Sequence, residues 1–165
     1  MARILIVGGG CRGRRLAAEQ TRAGHAVRIT TRTDSNRAAI EATGAECWIG
    51  TPDRLATLRG SLENVTIACW LLGAATGARA EVSALHGSRL EFFLRQSIDS
   101  TVRGFIYEAG AGTVRREVLE GGSALVVKLG EHNAIPVAVL RADPRDLQAW
   151  LNDARAAVAS FLASH

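Results

Sequence analysis

The chain has 165 residues, 47% hydrophobic and 22% charged, with 20 basic against 16 acidic residues and a net charge of +4. This is enough apolar material to build a core without disulfides or metals, so a disordered chain is excluded, and the length predicts a single domain over 1–165. No run of about 20 apolar residues exists, which excludes a transmembrane helix.

Arg3 to Val7 is a nearly continuous β-branched run ending in Gly8-Gly9-Gly10, and it reads as a strand buried on both faces. A helix is predicted from Arg14 to Ala23, with Gly24 as its C-terminal cap. Ala26 to Thr31 is a second strand. Asp34 or Ser35 caps a helix that stops at Gly44, and Ala45 to Ile49 is a third strand. Thr51-Pro52-Asp53 reads as an N-cap with Pro at the first helical position, opening a short helix to Gly60. Val65 to Leu72 is the most apolar run, predicted at the sheet centre. One long helix is expected over Ala80 to Ser97, then a strand over Val102 to Tyr107. A helix from Thr113 to Asn133 is expected to break or kink at Gly121-Gly122. Ile135 to Leu140 is the sixth strand. Asp143-Pro144-Arg145-Asp146 reads as the start of a last helix, with Asp143 as its cap. That helix carries an apolar stripe through Leu147, Trp150, Leu151, Ala154 and Val158. It has no Lys-rich face, so membrane binding is not expected. Strands alternate with helices throughout, which predicts an α/β, Rossmann-like doubly wound fold: a six-stranded, mainly parallel sheet with helices on both faces.

Nineteen of the 20 basic residues are arginine and Lys128 stands alone. They are scattered rather than clustered, which argues against nucleic acid as a partner. Cys11, Cys47 and Cys69 form neither a disulfide framework nor a zinc pattern, and they point to a reducing cytoplasm. His25, His86, His132 and His165 show no metal-ligand spacing. The first strand-like run follows directly on the start, with no charged leader, so no signal peptide is expected.

The sharpest motif is Gly8-x-Gly10-x-x-Gly13, set between a strand and a helix. Gly8 permits a tight turn, Gly10 lets the backbone approach a pyrophosphate, and Gly13 lets the helix pack close to the strand. The helix N-terminus then offers free N–H groups to phosphates. An acid about 20 residues further on would bind the ribose of NAD. Here Arg32 takes that position, in Thr30-Thr31-Arg32-Thr33-Asp34. A guanidinium pairs with a 2′-phosphate, so NADP is favoured, with NAD as the alternative. Arg12 can reach the same phosphate or the pyrophosphate, and the hydroxyls of Thr31 and Ser35 can donate hydrogen bonds. Cys11 lies inside the same loop.

These residues, with Thr51-Pro52-Asp53 and Cys69-Trp70-Leu71-Leu72-Gly73, resemble the extended and atypical short-chain dehydrogenase/reductase superfamily. The likeness is closest to its small NAD(P)-binding proteins of the epimerase/dehydratase kind. It covers nearly the whole chain, as the nucleotide-binding half of an extended member. The resemblance implies that Asp53 lies near the adenine and that the loop through Leu71, Leu72 and Gly73 passes beside the cofactor ribose. Val7 stands where the extended pattern has its first glycine.

The superfamily's usual proton relay pairs a Tyr with a Lys one helical turn apart. Here the one Tyr, Tyr107, and the one Lys, Lys128, are 21 residues apart, so that motif is absent. The substrate lobe of extended members is not expected either. In place of the relay, Tyr107 and Glu108 at the end of the fifth strand are the candidate hydrogen-bond donor and acid/base, against a Tyr packed on the sheet and a Glu that caps a helix. His86 is a weighed proton carrier, against a satisfied buried histidine. Two functions stand ahead of a third, an arginine-rich nucleic-acid binder, which the scatter of the arginines disfavours. One is a small NADPH-dependent reductase that passes hydride directly to a small-molecule acceptor such as a flavin or quinone. The other is a non-catalytic NADP sensor or interaction module. Without a second lobe, a substrate pocket must be shallow or completed by another subunit, which makes a homodimer an option.

Overall fold

The protein is described by a computed structural model covering residues 1–110 and 112–164. Ala111, in the loop after the fifth strand, and His165 lie outside the described residues. Six strands form one sheet: β1 (Arg3–Gly8), β2 (Ala26–Thr31), β3 (Glu46–Ile49), β4 (Ile67–Leu71), β5 (Gly104–Glu108) and β6 (Val137–Leu140). Their order is β3-β2-β1-β4-β5-β6 and every neighbouring pair is parallel. The expected Rossmann-like architecture is therefore present, with β1 and β4 at the centre. Sequential strands run outward one way from β1 to β3. They then return to the other side of β1 at β4, and this reversal opens a crevice at the carboxyl ends.

The helices are α1 (Gly10–Arg22), α2 (Arg37–Glu41), α3 (Arg79–Leu85), α4 (Ser88–Ile98), α5 (Arg116–His132) and α6 (Leu147–Ala163). Alternate side chains of each strand feed two cores. Ile4 and Ile6 pack with Leu16 of α1 and with Trp150, Leu151 and Val158 of α6. Leu5 and Val7 pack with Leu90, Phe93 and Leu94 of α4 and Val126 of α5. Burial on both faces explains why the central strands read as unbroken apolar runs.

Five local expectations are corrected. The helix expected over Ala80 to Ser97 is two helices, broken at His86-Gly87, because His86 turns into the core at 2% exposure. Helix α5 runs straight through Gly121-Gly122; Gly122 is there because Tyr107 packs against it, leaving no room for a side chain. Thr51 caps a turn rather than a helix, its hydroxyl accepting from the Asp53 N–H at 3.2 Å, and a 3-10 helix follows only at Leu55–Leu62. A 3-10 turn at Asp34–Asn36 precedes α2, with no side-chain cap from Asp34 or Ser35. The cap of α6 is Asp146, accepting from the Ala149 N–H at 3.1 Å, because Asp143 is held in the preceding turn by Arg145.

Candidate nucleotide site

The glycine turn joins β1 to α1. Gly8 has φ +80°, and a Cβ there would collide with Leu72 and with the Leu71 carbonyl, 2.6 Å away. That carbonyl accepts from the Gly9 N–H at 2.7 Å, which locks the turn to the end of β4. Gly10, with φ +51°, faces open space, so nothing within 4 Å prevents a ligand from approaching its backbone. Gly13 lies 3.1 Å, through its missing Cβ, from the Gly8 carbonyl, and the helix packs on the strand there. No side chain caps the first turn of α1. The three glycines thus occupy a turn, an opening and a packing contact.

A cavity of about 370 Å³ lies over this turn, at the carboxyl ends of β1, β2 and β4. Of the expected residues, Gly8, Gly10, Thr31, Arg32 and Leu72 line it. Arg14, Asn36, Ile29, Ile40 and Pro52 line it too and were missed. Arg14 was detectable as the residue one helical turn beyond Gly10. Asn36 was not, since it reaches the cavity only through the 3-10 turn, where its amide donates to the Thr31 hydroxyl at 3.1 Å. Among the described residues no acidic side chain lines the cavity.

Arg32 sits at the end of β2, 65% exposed, and pairs with Asp53 at 2.6 Å. Asp53 is also held by Arg89 at 3.0 Å, so one carboxylate stands between two guanidinium groups. Asp34, the acid two residues after Arg32, is 77% exposed and bonded to Arg37 at 2.6 Å. Ser35 is exposed and shares a hydrogen bond with Thr33 at 2.7 Å. Cys11 is exposed on the first turn of α1, where its sulfur accepts from Arg14 at 3.1 Å.

Arg12 turns away from this cavity. Its Nη2 donates to Glu108 Oε2 at 3.0 Å, and its guanidinium stacks over Trp150 at 5.5 Å. Glu108 is 1% exposed and also accepts from the Trp150 indole N–H at 2.8 Å and the Gly73 N–H at 2.8 Å. One carboxylate therefore joins α1, the loop after β4 and α6. Tyr107 is fully buried, with its hydroxyl 2.7 Å from His86 Nδ1. His86 Nε2 lies 3.0 Å from the Leu72 carbonyl, which can only accept, so Nε2 carries the proton and Nδ1 accepts from Tyr107. Burial lowers the His86 pKa and raises that of Tyr107, where the Glu108 charge adds to the rise. Both groups are therefore neutral at pH 7. The candidate donor and acid/base are thus internal: Tyr107 packs against His86 and Gly122, Glu108 bonds to Arg12, Trp150 and Gly73, and neither lines the nucleotide cavity. Their physical role is to hold Leu72 and Gly73, one by its carbonyl through His86, the other by its amide.

Among the described residues no group of His, Cys, Asp and Glu could hold a metal, and no helix is long and apolar enough to cross a membrane. No protein-family model matches the chain, and no curated protein matches it by sequence. Solved structures do. A Bacillus halodurans protein assigned as an NAD-dependent epimerase/dehydratase aligns with TM-score 0.72 and 16% identity, over 87% of this chain and 71% of that one. A short-chain dehydrogenase/reductase superfamily protein from Agrobacterium tumefaciens, with bound NAD, gives 0.69 and 20%, over 84% and 48%. Triphenylmethane reductase from Citrobacter sp., complexed with NADP(H), gives 0.64 and 15%, over 84% and 48%. The chain spans about half the length of the latter two. The architecture of this chain is the Rossmann-like fold shared by short-chain dehydrogenase/reductase proteins.

Proposed function

We propose that this chain binds a pyridine dinucleotide at the carboxyl ends of β1, β2 and β4, with NADP preferred over NAD. The observation that carries the reading is the lining of the cavity: Arg14, Arg32 and an open Gly10 backbone, with no acid among the described lining residues and the adjacent Asp53 already paired to Arg32. An NAD site of this architecture has a carboxylate at the end of β2, where it accepts from a ribose hydroxyl. A guanidinium there serves a 2′-phosphate instead. The uncapped first turn of α1 suits the pyrophosphate. Solved neighbours holding NAD or NADP(H) support a nicotinamide cofactor.

The bound cofactor would supply hydride transfer. The protein's part is to orient it. The Gly8–Gly13 turn approaches the diphosphate, Arg32 meets the adenosine end, and Leu72, clamped through His86 and Glu108, forms the wall opposite Gly8. In this reading a single domain over 1–165 meets a small-molecule acceptor, with a second copy of the chain closing the site. Three free cysteines support a cytoplasmic setting. The burial of Tyr107 and Glu108 favours either hydride passed directly to an acceptor ring or a non-catalytic sensor. NADPH oxidation with a panel of flavins and quinones separates the two: turnover identifies the reductase, and binding without turnover identifies the sensor. Replacing Arg32 with Ala should cut NADPH affinity about tenfold while leaving NADH within about twofold.

A further inference from the structure

We propose that the cavity beside the nucleotide site takes a small organic acid, with its apolar body on Val82, Val114 and Val118 and its carboxylate on Arg79. This names a substrate class for the nucleotide reading above and rests on that reading for its purpose, though its binding is tested separately. The cavity measures about 330 Å³ and lies between the loop after β4 and the start of α5. It shares Ala75 and Thr76 with the nucleotide cavity, so a ligand seated there adjoins the cofactor. It shares Thr113 with a third cavity, lined by Arg12 and Arg145.

Charge identifies the ligand. Arg12, Arg14, Arg32, Arg79, Arg115 and Arg145 line these three cavities, and among the described residues no Asp or Glu does, though the Glu81 carboxylate lies 3.8 Å from a Cβ built on the lining residue Gly77. The arginine-rich composition alone does not produce this. Two further cavities mix charges, with Glu120 and Glu131 beside Lys128 and Arg141 in one and Glu63 and Asp99 beside Arg59 in the other. A guanidinium in such a cleft attracts an anion where it has no acidic partner of its own. Within it, most of the arginines are already compensated: Arg12 by Glu108, Arg32 by Asp53, Arg115 by Glu117 at 3.7 Å and Arg145 by Asp143. Arg79, the first residue of α3, has no acidic partner within 4.0 Å among the described residues. It therefore keeps its full fork of donors for a planar carboxylate. The hydroxyls of Thr76 and Ser83 line the same cavity. Three valines supply a dry surface for the rest of the ligand, and a volume near 330 Å³ limits it to a small molecule.

The test is calorimetric titration of the full chain with 4-phenylbutyrate and with its neutral amide, each with and without saturating NADPH. The acid is expected to bind at least about tenfold more tightly than the amide. Arg79→Gln, an exposed substitution, should bring the two within about twofold and leave NADPH affinity unchanged. Equal affinity for acid and amide, or an undiminished preference in Arg79→Gln, overturns the proposal. NADPH binding with failure of both probes overturns this inference and leaves the nucleotide reading standing. Acid preference without any NADPH affinity does the reverse.

Discussion

Glu108 ties together three elements beside the site. Its two oxygens accept from Arg12, Trp150 and the Gly73 amide while almost wholly buried. Removing the charge of a buried, hydrogen-bonded pair leaves donors unanswered, so Glu108→Gln should cost about 3 kcal/mol in urea denaturation. Nucleotide affinity should fall as well, since Gly73 follows directly on the Leu72 wall. A loss under about 1 kcal/mol would remove Glu108 from this role. His86 gives a second test. Burial lowers its pKa from the usual 6.5, so the folded chain keeps it neutral. On acidification the unfolded chain takes up that proton first and the folded chain does not. Stability is therefore complete above about pH 6.5 and falls below it. Between pH 7 and 5 the stability of His86→Gln should decline less steeply than that of the wild type, with carboxylate titrations common to both. Parallel curves would contradict a neutral, buried His86.

At the scale of elements, helix α5 makes an argument from two adjacent glycines. A Cβ on Gly122 would overlap the Tyr107 hydroxyl, whereas one on Gly121 meets nothing within 4 Å. Gly122→Ala must push the phenol off His86 and should destabilise the fold by about 1–3 kcal/mol. Gly121→Ala, on the exposed face of the same helix, should stabilise it by about 0.5–1 kcal/mol. Thermal unfolding of the two variants reads the opposite signs. Equal shifts would deny that α5 is seated on Tyr107. The double glycine looks like a helix break in the sequence because local propensity is all a single chain displays. Its reason is a strand residue 15 positions earlier, and no local pattern carries that contact. The break at His86-Gly87 was hidden for the complementary reason: a histidine inside an amphipathic run gives no sign that it will turn inward to bridge Tyr107 and Leu72.

Across the whole molecule, the periodic signals were legible and the convergent ones were not. All six strands and their mainly parallel direction follow from apolar runs alternating with helical spacing, and the glycine turn follows from its setting between β1 and α1. The cavity residues Thr31, Arg32 and Leu72 were readable as strand ends. Glu108 was visible only as an acid at a strand end, because its partners come from positions 12, 73 and 150. The gathering of arginines at the mouth is likewise invisible in a chain whose arginines are scattered along its length. That lining has a bulk consequence: NADPH affinity should weaken markedly between about 0.05 and 0.5 M salt as screening shortens the reach of Arg14 and Arg32. NADH, with one phosphate fewer, should weaken less. The central claim is nevertheless one of selectivity at the end of β2. Calorimetric titration of the purified chain with NADPH and NADH at one salt concentration tests it most directly. Saturable binding of both, with NADPH about tenfold tighter, is the predicted result; NADH binding as tightly as NADPH, or no binding of either, would contradict it.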